Sequence, residues 1–112
     1  FEQAFDPNGK YHLDALITPT TPTTAFETAA VYGDSVMMQY ADQLTVPANH
    51  AGVPAISIPA GFAEDGLPIG IQLLGADFHE ASLLRIARAY EMATEHEEWR
   101  KKKPAIGEGK LV

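Results

Sequence analysis

No cysteine occurs among the 112 residues. That excludes a disulfide framework and thiolate metal sites, and it permits a reducing compartment without requiring one. No stretch approaches the roughly 20 consecutive apolar residues needed to cross a bilayer. Positive charge is scarce: Lys and Arg total 8 against 15 Asp and Glu, a formal net charge of -7. Half of the basic residues stand together in Arg100-Lys101-Lys102-Lys103. Without interleaved aromatics, and on an otherwise acidic chain, this run reads as a solvated helix end rather than a nucleic-acid site. Phosphate-cradling chemistry is also missing, because Gly61 to Gly66 lies between two strand patterns instead of opening a helix.

What is present is an ordinary globular composition, 46% hydrophobic, in a length that fits one domain at most. The pattern centres on two apolar runs. Val53 to Gly61 and Pro68 to Leu74 flank Glu64-Asp65-Gly66, which predicts an antiparallel hairpin. Pro54 and Pro59 cannot donate to a ladder, so the first strand is not evenly paired on both edges. In the second, Ile69, Ile71 and Leu73 alternate with Gly70, Gln72 and Leu74, and both faces read as apolar enough to be covered.

Upstream, FEQAF (residues 1–5) suits the last turns of a helix, stopped by Asp6-Pro7-Asn8-Gly9. That opening leads us to expect a C-terminal piece of a longer protein. Asp14 to Thr18 predicts a short buried strand. Thr18 to Thr24, TPTTPTT, is expected to be a stiff irregular loop at a strand end. Asp34 is placed to cap a helix over Ser35 to Leu44, with Val36, Met37, Tyr40 and Leu44 on one face. Thr45 reads as a second cap, for a short helix with Pro47 near its start and Gly52 at its end. Downstream, Asp77 with Glu80 resembles a capping box. Leu83, Leu84, Ile86, Ala87, Tyr90 and Ala93 then recur at helical spacing to about Trp99. The domain-like portion is expected to cover residues 1–103, with a loose tail over residues 104–112. The fold class is α/β.

Chemistry is thin on the residues alone. Histidines at positions 12, 50, 79 and 96 show no metal-ligand spacing. Ser57 sits in a strand rather than at a nucleophile elbow. Asp42, His50 and Ser57 could be drawn as a triad, but nothing in their spacing enforces the geometry. Asp42 stands out more. It is a carboxylate near a helix end, and it reads either as an exposed surface charge or as an anchor for a substrate ammonium.

Four stretches, in order, carry a resemblance: LITPTTP (residues 16–22), YADQLTVPAN (40–49), AGVPAISIPAG (51–61) and GLPIGIQLLG (66–75). Together they resemble the amidase signature family, over nearly the whole chain from Phe1 to about Lys103. FEQAF, ITPTTPT and the Tyr-Ala-Asp context bring the resemblance nearest to the A subunits of aspartyl/glutamyl-tRNA amidotransferases. The resemblance implies a mixed sheet wrapped by helices, to which this chain would supply late strands and covering helices. It implies a reaction in which a serine, assisted by a second serine in a cis peptide and by a lysine, attacks an amide carbonyl and releases ammonia. In the A subunits the amide is that of glutamine. The ammonia passes to a partner subunit that amidates Glu-tRNA(Gln) or Asp-tRNA(Asn), so B and C subunits are the implied partners and the cytoplasm the implied location. ATP and magnesium belong to the partner, tRNA is met mainly through it, and no cofactor is implied for this chain. The family's lysine and two serines lie upstream of Phe1, so no catalytic residue carries over. Asp42 matches the position that holds the substrate amine, and the Thr18 to Pro22 loop matches a weaker candidate for the pocket wall. A stand-alone amidase, or a non-catalytic module on the same scaffold, are the alternative readings.

Overall fold

The computed structural model describes residues 1–30 and 33–103. The predicted tail over residues 104–112 lies outside them. Helix α1 (Glu2–Phe5) opens the chain, followed by strand β1 (Leu16–Pro19), helices α2 (Ser35–Asp42) and α3 (Val46–Ala51), strands β2 (Ala55–Phe62) and β3 (Pro68–Leu74), helix α4 (Glu80–Ala93) and a 3-10 turn, η1 (Glu98–Lys101). The three strands form one antiparallel sheet in the order β1-β3-β2.

The hairpin forms as predicted. Ala63 N–H donates to the Leu67 carbonyl at 2.9 Å, and Gly66 N–H to the Ala63 carbonyl at 2.9 Å. The Asp65 carboxylate accepts from Leu67 N–H at 3.0 Å. Gly66 takes φ 83, the left-handed conformation a side chain resists. Strand β2 is an edge strand, which tolerates Pro59, and a register shift between Pro59 and Gly61 marks a bulge. Strand β1 runs on to Pro19, one residue past the predicted strand end at Thr18. Its Pro19 stands opposite Ile71 on the other edge of the sheet, where a missing donor leaves no partner unpaired.

Both faces of the middle strand are covered, as expected: Leu73 is 4% exposed on one and Leu74 3% on the other. On one, Ile17, Leu73 and Ile56 lie side by side. Helix α4 packs there, burying Leu73, Leu83 and Ala87 with Ile56, Ile58 and Ile86 around them. On the other face an apolar row, Leu16, Leu74 and Ala55, adjoins a polar one, Thr18, Gln72 and Ser57. Gln72 is nevertheless 4% exposed.

Helix α4 begins and ends differently from the prediction. Asp77 is not its cap. The chain turns at Phe78, with φ 62, and the cap position falls to His79, which makes no side-chain cap bond. The helix stops at Ala93 instead of reaching Trp99. The Thr94 hydroxyl donates to the Tyr90 carbonyl at 2.7 Å and accepts from Arg100 Nε at 2.8 Å. The guanidinium of Arg100 in turn lies 4.4 Å from the Trp99 ring centre. The basic run is therefore engaged within the chain: Lys101 pairs with Glu98 at 2.7 Å, and Lys102 stands 4.2 Å over the Phe62 ring.

Candidate functional site

Asp42 is the last residue of α2. The sequence builds this position from both ends. At the start of the helix, the Asp34 carboxylate accepts from Val36 N–H at 3.1 Å and Met37 N–H at 3.0 Å, the cap that was predicted. At the end, Thr45 turns back: its N–H and its hydroxyl both donate to the Asp42 carbonyl, at 3.0 and 3.1 Å. Thr45 occupies the cap position of α3 but makes no side-chain cap bond there, and its φ of -96 and ψ of -32 are helical, not the extended values of a cap. The connection is thus a tight two-helix elbow. Gly52, with φ 71, closes α3 by donating to the Ala48 carbonyl at 2.9 Å.

The elbow is joined to the face of the sheet that carries Gln72. Gln72 Nε2 donates to the Leu44 carbonyl at 2.9 Å and to Thr18 Oγ1 at 3.2 Å. Asp42 itself is exposed, and its carboxylate makes no hydrogen bond or ion pair among the described residues. It lines an open cleft of about 420 Å³ with Gln39, Gln43, Val46, Pro47 and His50. The carboxylate sits at the negative end of the helix dipole, where it gains nothing from the helix and where the two fields add. Such a spot attracts a cation.

The loop after β1 lines a second cleft, of about 260 Å³, with Thr21, Pro22 and Thr23 on one wall and Pro68 and Gly70 on another. Beside it, Thr20 Oγ1 and Ser57 Oγ lie 2.7 Å apart. Ser57 is therefore held by a threonine and makes no bond to His50 or Asp42. The histidine and the aspartate share a cleft, and the serine stands elsewhere. Gln72, which ties the elbow to the sheet, is not among the site residues read from the sequence. The available signal was a single amide inside the apolar run Ile69 to Leu74. Among the described residues, no three His, Asp or Glu side chains gather as a metal site would require.

The model of the Amidase family matches residues 1–84. The chain belongs to the amidase family. Among the relatives of this amidase-family chain is the A subunit of the Glutamyl-tRNA(Gln) amidotransferase of Oceanobacillus iheyensis, 50% identical over 97 residues, which are 87% of this chain and 19% of that protein. The A subunit of the Symbiobacterium thermophilum enzyme of the same name is 46% identical over 108 residues, 96% of this chain and 20% of the relative. The crystal structure of the Glutamyl-tRNA(Gln) amidotransferase A subunit from Thermotoga maritima superposes with a TM-score of 0.65 at 46% identity, over 70% of this chain and 17% of the other. This amidase-family chain thus has the α/β fold expected of it, and it spans about a fifth of the length of the curated relatives it matches.

Proposed function

We propose that this chain is the C-terminal segment of a glutamine-hydrolysing A subunit of a tRNA-dependent amidotransferase, and that Asp42 anchors the α-ammonium of glutamine. One observation carries the site reading: the Asp42 carboxylate is exposed on a cleft wall, without a partner among the described residues, at the C-terminal end of a helix held by its own side-chain bonds. The names of the relatives, A subunits of the Glutamyl-tRNA(Gln) amidotransferase, support the amidotransferase reading. In this reading the nucleophilic serine, its partner serine and the lysine come from the preceding part of the protein. This segment orients the amide donor and lets ammonia leave toward a partner subunit. B and C subunits, ATP and magnesium in the partner, tRNA contacted mainly through the partner, a carbon-nitrogen ligase role in protein biosynthesis and a cytoplasmic location all follow from the same proposal. Among the described residues no helix is long and apolar enough to cross a membrane.

The test is Asp42→Asn in the full-length protein, assayed as glutamate release from glutamine. A charge-assisted bond to the ammonium contributes about 1.5–3 kcal/mol, so KM for glutamine rises roughly 10- to 100-fold. An unchanged KM overturns the anchor role. Turnover of other amides with no glutaminase activity in the parent assigns the segment to a stand-alone amidase instead.

A further inference from the structure

We propose that Gln72 is a positioning residue for the Asp42 anchor, a role that rests on the substrate reading above. Gln72 is the buried polar side chain among the described residues, 4% exposed on the middle strand β3. Its amide nitrogen has two hydrogens to give. One goes to the Leu44 carbonyl at 2.9 Å and the other to Thr18 Oγ1 at 3.2 Å. The orientation of the amide is dictated by its surroundings. The Thr18 hydroxyl donates to the Pro19 carbonyl at 3.0 Å, so it must accept from Gln72. A carbonyl at Leu44 likewise tolerates only a donor.

The elbow has little else to fix it against the sheet. Helix α2 buries no residue, and α3 buries only Ala48 among the described residues. Gln72 supplies the side-chain hydrogen bond that joins the elbow to the strands. The path continues without a gap: Gln72 holds Leu44, the next residue Thr45 bonds the Asp42 carbonyl, and the Asp42 carboxylate faces the cleft. The strand therefore sets the height and rotation at which the anchor meets a substrate cation. Because the amide never touches the cleft, its effect passes through Asp42.

The test uses glutamine hydrolysis by the full-length protein. Gln72→Met keeps length and bulk and removes both donors. KM for glutamine is expected to rise about five- to tenfold, the loss of one to two net hydrogen bonds, while kcat stays near the parent value. The Asp42→Asn and Gln72→Met double variant is expected to show no further rise in KM over Asp42→Asn alone, since both changes act through one anchor. A Gln72→Met protein whose kcat falls at unchanged KM, or whose effect adds fully to that of Asp42→Asn, overturns the positioning role. If Gln72→Met does not accumulate in soluble form, Thr45→Val replaces it. Removing that hydroxyl is expected to raise KM about two- to fivefold, and an unchanged KM overturns the proposal. If Asp42→Asn itself leaves KM unmoved, the substrate reading fails first. If only Gln72→Met leaves it unmoved, the positioning role fails alone.

Discussion

Two glycines, one within β3 and one just after it, would meet one added carbon very differently. A Cβ at Gly75 would stand 3.0 Å from Leu83 Cγ, with both Leu83 methyl carbons close behind. Leu83 is 3% exposed and sits in the core cluster, so it has nowhere to go. A Cβ at Gly70 would meet Ser57 Oγ at 3.0 Å and Thr20 Oγ1 at 3.1 Å, two hydroxyls beside an open cleft. Those can rotate aside by giving up their mutual bond. Gly75→Ala is therefore expected to destabilise by about 1–3 kcal/mol, as overpacking does. Gly70→Ala is expected to cost only the net value of one hydrogen bond, about 1 kcal/mol. Denaturant titration of the two full-length variants checks the order, and equal or reversed losses refute the packing argument. At this scale the sequence was legible where a residue acts on its immediate neighbours. Asp34 capped α2 as expected, and Gly52 and Gly66 took left-handed φ. It was not legible at Thr45, whose backbone takes a helical φ and ψ instead of the extended ones of a cap and whose hydroxyl donates back to the Asp42 carbonyl. Nor was it at Gln72, whose partners lie 28 and 54 residues away in the chain.

Helix α4 shows what an element's own periodicity does and does not reveal. Of the stripe read from the sequence, Leu83, Ile86, Ala87 and Tyr90 lose solvent, whereas Leu84, 59% exposed, and Ala93 stay in water. The length of the stripe was misread because nothing between Ala93 and Trp99 is a helix breaker. At the stop the Thr94 hydroxyl bonds the Tyr90 carbonyl and accepts from Arg100 six residues on, side-chain bonds that apolar periodicity does not encode. The solvent face carries a test of its own. Arg88 Nη1 and Glu91 Oε2 lie 2.6 Å apart, one helical turn from each other. The hydrogen bond from Arg88, and then its charge, hold the Glu91 carboxyl below the usual carboxylate range. A group whose folded pKa is lowered stabilises above its unfolded pKa and loses that contribution as pH falls through the folded value. The pair therefore helps at neutral pH and ceases to help in acid. The exposed setting makes the help small and salt-sensitive. NMR titration is expected to show the Glu91 midpoint rising toward the ordinary glutamate value in Arg88→Met, and rising part of the way in the parent at high salt. A midpoint that ignores Arg88 overturns the pairing.

For the whole molecule, the distribution of apolar surface argues about what this segment requires. The described core is one small cluster against α4, and no side chain in it is wholly buried. Outside it, Ile17 in the sheet is 63% exposed, Val36 on α2 72%, and Phe78 91%. Large aliphatic and aromatic side chains left in water at this density are unusual for a free-standing monomer. A piece of a larger sheet, taken apart from the helices that cover it, would show this distribution. The apolar face of α2, legible in the sequence as Val36, Met37 and Tyr40, has no counterpart among the described residues. That is why its pattern could be read while its packing could not. The expected outcome is that the isolated 112-residue chain melts without a sharp cooperative transition and binds a hydrophobic dye at neutral pH, while the same segment within the full-length protein is protected from amide exchange at β3 and α4. Differential scanning calorimetry of the isolated chain decides between the two cases. A steep two-state transition at monomeric concentration would mean that the small cluster around Leu73 and Leu83 suffices to hold the fold, and that the exposed faces are surfaces in their own right.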